Sequence, residues 1–176
     1  MRLIKSLVLV GIMLFAFTLT AQNKKDRKIM NDAKRAKKTL LKADSGLERF
    51  FDKSAGYVLF PNVGKGGFII GGASGNGVLY EGGEAAGMAG LKKLNVGLQA
   101  GGQAIIEIIF FETAVDLERF KEGKFQFAAE TSAVALKSGI AFNAKYKDGV
   151  AVFALPKAGL MADASVGGQK FSYRPF

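Results

Sequence analysis

The stretch from Phe60 to Gly102 constrains this chain more than any other. Between Gly64 and Gly102 stand fourteen of its 23 glycines, yet the apolar residues among them (Phe68, Ile69, Ile70, Val78, Leu79, Val96, Leu98) have strand character. Glycine inside a strand weakens it and marks a bulge, a sharp bend or the close approach of another backbone. A sheet bent at several places closes into a small barrel or a tight sandwich. The chain of 176 residues is long enough for one domain with a substantial core.

Strand signals continue on both sides of that stretch. Tyr57 to Phe60 reads as a strand closed by Pro61, and Gly67 to Gly72 and Gly77 to Glu81 flank Ala73-Ser74-Gly75-Asn76, which suits a tight hairpin turn. Gly82 to Gly90 reads as an irregular connection. Val96, Leu98 and Ala100 alternate with small or polar residues, and Ile105 to Phe111 is solidly apolar except for Glu107. Period-two alternation resumes at Phe125/Phe127, Val134/Leu136, Val150/Val152 and Leu160 to Val166, which argues antiparallel strands. Two short helices interrupt them. Ser45 and Glu48 have capping-box spacing ahead of Leu47, Phe50 and Phe51, and Thr113 and Asp116 have it ahead of Leu117 and Phe120, with Gly123 as the stop. Leu-Glu-Arg-Phe occurs in both, at 47–50 and 117–120. The expected fold is α+β and mainly β: an antiparallel glycine-rich barrel or sandwich with an N-terminal basic helix and one or two further short helices.

Three segments follow from composition. Arg2 and Lys5 precede the apolar run Leu7 to Phe17, and Leu19-Thr20-Ala21 precedes Gln22, so residues 1–21 read as a secretory signal with cleavage after Ala21. An uncleaved anchor is the competing reading, but the run is shorter than the roughly 20 residues a spanning helix needs. No cysteine is present, so the signal cannot end in a lipid-modified one and no disulfide forms. Residues 22–44 hold nine basic residues against Asp26, Asp32 and Asp44, a balance of +6, and they have helical period. Ile29, Met30, Ala33, Ala36, Leu40 and Leu41 fall on one side and Arg27, Lys28, Lys34, Arg35, Lys38 and Lys42 opposite, with Lys37 intruding on the apolar side. Such a helix lies in a membrane interface with its cations on acidic head groups, or packs its stripe on the protein's own core and leaves the cations solvated. Residues 45–176 make the β-rich domain, one unit with the helix before it.

The chain has no histidine and no cysteine. That removes Ser-His-Asp and Cys-His catalysis and every metal site built on imidazole or thiolate, so no metal and no cofactor is expected. Gly64-Lys65-Gly66-Gly67 lacks the glycine spacing and the Ser/Thr after lysine of a phosphate loop. Gly72-Ala73-Ser74-Gly75-Asn76 falls short of a nucleophile elbow. Glu107 breaks the apolar pattern of its strand, and with Glu112 or Glu130 it is the one candidate for a glycosidase-like carboxylate pair; the alternative is a solvent-facing or lysine-paired side chain. A basic balance fits nucleic acid in general, but no nucleic-acid module is recognisable and the signal argues against it. The ending Tyr173-Arg174-Pro175-Phe176 does not fit a transmembrane β-barrel, whose lipid face would carry Arg174.

Longer motifs add a resemblance. Ser54-Ala55-Gly56-Tyr57-Val58-Leu59-Phe60-Pro61, Val63-Gly64-Lys65-Gly66-Gly67-Phe68 and Gly71-Gly72-Ala73-Ser74-Gly75-Asn76-Gly77-Val78-Leu79-Tyr80 resemble the SYLF domain family. So do Val96 to Gln103, Glu107 to Phe111, Ala133 to Leu136, Gly159-Leu160-Met161 and Gly167 to Tyr173, in one register over about residues 30 to 175. The chain looks like the family's secreted bacterial branch, a stand-alone domain behind a signal peptide. The resemblance implies a lipid-binding module without enzymatic activity, here for acidic phospholipid surfaces of a bacterial envelope, in the periplasm or outside the cell. It implicates the stretch before the first glycine motif in membrane contact and offers Lys65 of the Gly64-Lys65-Gly66 turn as a head-group ligand. Together with the charge count, the candidate head-group residues are Lys28, Lys34, Arg35, Lys38, Lys42 and Lys65. An envelope protein partner is the alternative.

Overall fold

The computed structural model describes residues 24–123 and 134–176, with the backbone alone at 65–71, 94–101 and 158–168. The chain is α+β and mainly β. Helix α1 spans 24–43, a 3-10 turn Ser45–Leu47 leads into α2 (Glu48–Lys53), and two very long strands follow, β1 (Gly56–Glu81) and β2 (Glu84–Phe111). After α3 (Ala114–Lys121) come the short strand β3 (Val134–Ala135), the single turn α4 (Ile140–Asn143) and the long strand β4 (Val150–Pro175). The expected signal at 1–21, the Phe125/Phe127 alternation and Glu130 lie outside the described residues.

The sheet is not closed into a barrel; its order is β1-β2-β4-β3 among the described residues. β2 pairs antiparallel with both β1 and β4, whereas β3 pairs parallel with β4, opposing Val134 to Phe153 and Ala135 to Ala154. The expected strands fuse: the segments around Tyr57, Phe68 and Val78 are one strand, and so are those around Val96 and Ile105. Pro61 does not end β1, because it sits at a register shift between Phe60 and Val63 where its missing N–H breaks no ladder bond. The hairpin turn is not at Ala73–Asn76 but at Gly82-Gly83, with φ of 59° and 86°. A two-residue hairpin loop of this kind demands positive φ at both central positions, which Gly-Gly supplies and Gly75-Asn76 supplies less well. Residues 84–90, expected to be irregular, therefore belong to β2.

A straight strand of 26 residues would reach about 85 Å, whereas a compact chain of this length has a radius of gyration of about 16 Å. The strands must double back, and the glycines show where. A Cβ on Gly77 would lie 2.5 Å from the carbonyl oxygen of Leu59, and one on Gly56 would lie 2.7 Å from that of Tyr80. The two ends of β1 thus touch backbone to backbone, a contact no larger residue permits.

Folding back buries both faces of the sheet. Tyr57, Leu59, Ile106, Ile108, Phe110, Ala151 and Phe153 point to one side, where α1, α2 and α4 cover them with Ala33, Ala36, Leu40, Phe50 and Ala141. Val58, Phe60, Ile105, Ile109, Phe111, Val150 and Val152 point to the other, which α3 closes with Leu117 and Phe120. A strand buried on both faces reads as a continuous apolar run, which is why Ile105 to Phe111 lacks alternation. The two Leu-Glu-Arg-Phe helices are plugs for opposite cores. Phe50 packs on Phe110 (ring centroids 5.3 Å) and Phe153 (5.1 Å), and Phe120 on Phe111 (5.1 Å) and Phe171 (5.3 Å).

The second capping box forms as its spacing predicts: Asp116 N–H donates to Thr113 Oγ1 at 3.3 Å, and Thr113 N–H donates to Asp116 Oδ2 at 3.3 Å. The first does not. Asp44, one residue earlier than expected, is the cap, accepting from Gly46 N–H at 2.9 Å, and α2 begins at Glu48 without a side-chain cap.

Overpacking against rigid backbone costs about 1–3 kcal/mol or more. Gly77→Ala is expected to lower the unfolding free energy by about 3 kcal/mol in urea titrations. Gly64→Ala, whose Cβ would meet nothing within 4 Å, should stay within about 0.5 kcal/mol; equal losses at both positions would refute the close-approach account.

Candidate functional site

Helix α1 lies on the sheet with Ala33, Ala36 and Leu40 buried and Ile29, Met30, Leu41 and Ala43 partly so. Two alanines in the central turns let the helix approach the strands closely. Both ends are fastened. Arg174 Nη2, near the end of β4, donates to Asp26 Oδ2 at 2.6 Å, and Asp44 follows the last turn, buried and bonded to two backbone amides. The apolar stripe is therefore committed to the protein's own core.

What remains outward is cationic. At 100° per residue, Lys24, Arg27, Lys28, Lys34, Arg35, Lys38 and Lys42 occupy an arc of about 120° centred opposite Leu40, and all are exposed. The helix is about 30 Å long, so these charges form a stripe rather than a point. Of its two acids, Asp32 lies about 40° beyond one edge of the arc and Asp26 on the inner side beside Ala33, and both are engaged: Asp26 with Arg174, and Asp32 with Arg35. Lys28, Lys34, Lys38 and Lys42 thus face solvent together, while Arg35 shares its charge with Asp32. Lys65 lies elsewhere in the sequence, on β1. Its backbone is in β1 opposite Gln103, not in a turn, and its side chain lies outside what the structure describes.

Lys37, the cation that broke the helical pattern, turns inward. Its ammonium lies 4.2 Å from the centroid of the Phe51 ring and 5.3 Å from that of Tyr57, and donates to Tyr57 Oη at 3.3 Å. Burial lowers its pKa, partly offset by Asp52. Cation–π contact and the hydrogen bond make a half-buried lysine tolerable. Burial, and then neighbouring Tyr80, pushes the Tyr57 phenol up to about 12; the two rings stack at 4.8 Å.

Sequence reasoning missed a second basic locus. Lys92 on β2 and Lys170 on β4 stand directly opposite each other in the register. Both are exposed on a groove of about 700 Å³ that Asn62, Ser74, Asn76 and Ser172 also line. Like charges facing across strands are unfavourable, and only the register, which no local pattern encodes, brings them together.

Glu107 is buried, 4% exposed, on the face of β2 that carries Ile105 and Ile109. Glu112 is exposed beyond the end of that strand, five residues on and so about 17 Å away along it. The two do not form a carboxylate pair across a cleft, and neither the Lys92 groove nor the one beside Arg35 is lined by Glu107. Among the described residues no group of three acids is placed to hold a metal, and no helix is long and apolar enough to cross a membrane.

No family model matches the chain. Over 83 residues, 46% of its length, it is 30% identical to beta cell expansion factor A of Aeromonas veronii. The chain spans about a third of that curated relative, 32% of its length.

The Tyr57 phenol has a checkable consequence. It stays neutral in the fold to about 12, whereas in the unfolded chain it ionises near 10, so its contribution to stability is full below about pH 10 and is lost as pH rises towards about 12. Urea midpoints of the wild type are expected to fall more steeply across that window than those of Tyr57→Phe. Parallel curves would show that the ring is not shielded from water.

Proposed function

We propose that this chain is a SYLF-type module that attaches reversibly to acidic phospholipid surfaces in a bacterial envelope, after removal of residues 1–21. The observation that carries the reading is the division of labour in α1. Its apolar face is taken up by the core and both its ends are tied down, so its cations are presented as a fixed, outward stripe. A helix that had to leave the body to reach a membrane would expose Ala33, Ala36 and Leu40 and the strand residues beneath them. Here the cations meet a planar anionic surface without any rearrangement.

The charge is sufficient for that role. Each lysine or arginine close to an anionic membrane contributes about 1 kcal/mol, and the exposed stripe of α1 offers seven such residues. Engagement of about four to six gives attachment that salt reverses, since the screening length falls from about 10 Å at 0.1 M to about 3 Å at 1 M. The rest of the chain from residue 45 carries a balance of only +2, which directs the attraction to one side of the molecule. The motif resemblance to SYLF domains points the same way.

Co-sedimentation with phosphatidylcholine vesicles, with and without phosphatidylglycerol, tests the proposal. Binding is expected on the acidic vesicles alone and is lost at high salt. Changing Lys28, Lys34, Lys38 and Lys42 together to Glu should weaken it by at least about a hundredfold. Arg35→Ala should cost less than Lys38→Ala, because Asp32 already occupies the arginine. Unchanged vesicle binding in the fourfold variant would sink the reading and favour an envelope protein as the partner.

A further inference from the structure

The single turn α4 has an anomaly that neither the fold nor the cationic helix accounts for. Ile140 and Phe142 are 38% and 60% exposed, while Ala141 between them is fully buried. The segment around them, from Lys137 to Lys147, contains the exposed cations Lys137, Lys145 and Lys147 and no acid. Two large apolar side chains thus stand in water at the centre of a lysine-rich segment.

Their exposure is imposed by the structure. Asp44, buried at 2% exposure, accepts from Gly46 N–H at 2.9 Å through one carboxylate oxygen and from Ala141 N–H at 2.8 Å through the other. Arg49 donates to the carbonyl of Ala144, and a Cβ on Gly46 would lie 2.9 Å from Phe142 N. Gly139 enters the turn at φ +83°. With Ala141 pinned inward, the residues on either side of it are pushed outward. Asp44 is also the residue that follows the last turn of α1, so this apolar tip stands at the end of the helix that carries Lys38 and Lys42.

We propose that Ile140 and Phe142 form an apolar wedge that enters the boundary between head groups and acyl chains of an acidic bilayer, with Lys137 and Lys145 on the surrounding phosphates. The proposal rests on the membrane reading of α1 and deepens it: the helix supplies attraction and the wedge supplies depth. Two features favour a lipid surface over a protein. The two charges nearest the pair in sequence, Lys137 and Lys145, are both positive and complement anionic head groups, with the acid Asp148 lying beyond Lys147. Two side chains fall far short of the ~800 Å² per partner that a stable protein interface buries, whereas interfacial attachment needs only a small apolar area beside cations.

The chain contains no tryptophan, so Phe142→Trp places a single indole reporter at the tip. With phosphatidylcholine/phosphatidylglycerol vesicles its emission should shift to the blue and be quenched by brominated acyl chains. Val115→Trp, at a 68% exposed position on α3, should keep a water-like spectrum under the same conditions and serves as the control. Phe142→Ala should weaken vesicle binding about tenfold without changing the thermal midpoint, since the ring is outside the core. If the Phe142→Trp variant sediments with acidic vesicles while its indole spectrum stays unchanged, the wedge is wrong and the cationic helix survives. Absence of sedimentation for the wild type overturns both.

Discussion

Everything in this molecule depends on one close contact, the approach of Gly77 to the backbone of Leu59. Strands as long as β1, β2 and β4 can be packed into a small domain only by doubling back, and the two ends of β1 meet where side chains have been removed. Each glycine makes a strand less stable in isolation. The compensation comes from burial on both faces of the sheet, which needs covers. On one side α1, α2 and α4 lie over Tyr57, Ile108 and Phe110; on the other α3 lies over Phe60, Ile109 and Phe111. The helices are a consequence of the fold-back, not attachments to an independent barrel.

That requirement fixes the character of the surface. Because the core needs the apolar stripe of α1, the opposite stripe can only face solvent, and the contacts of Asp26 with Arg174 at one end and of Asp44 with two backbone amides at the other agree with that orientation. Lys37 shows what violating the division entails: a cation on the inner side has to be covered by Phe51 and Tyr57 and has its pKa lowered by burial. The remaining cations need no such accommodation, and their orientation follows from packing.

What was legible in the sequence was local, and what was missed depended on contacts far along the chain. The period of α1 and the Thr113/Asp116 box are set by residues three or four apart, so they can be read directly. The hairpin turn was misplaced because Gly75-Asn76 and Gly82-Gly83 are both good turn signals. Gly82-Gly83 supplies positive φ at both positions more readily, and Gly75 is in addition held against another part of β1, where a Cβ would lie 2.9 Å from Val63 and 3.1 Å from the carbonyl oxygen of Asn62, a tertiary fact. Capping was assigned to Ser45, a good N-cap type, but Asp44 has a second donor in Ala141, 97 residues on. The parallel pairing of β3 and the facing of Lys92 and Lys170 are likewise products of register. Of the candidate head-group residues, five of the six lie on α1, where the local period places them on one face; Lys65 was assigned to a turn that the continuous β1 does not contain.

The two surface features differ in how they are tied to the fold, and this bears on how each can be separated from stability. Apart from Lys37, the cations of α1 face away from the core, so their number and sign can vary while Ala33, Ala36 and Leu40 keep the helix seated. The tip of α4 is different, because the carboxylate that pins Ala141 also caps the turn into α2. Changing Asp44 would unbind two buried amides at once, each costing about 1–3 kcal/mol, and would loosen the end of α1 together with the tip. Position and stability are therefore coupled at Asp44 and uncoupled at Lys38 and Phe142. It follows that the outward side chains, rather than the carboxylate that aims them, are the places where surface binding can be altered without altering the fold.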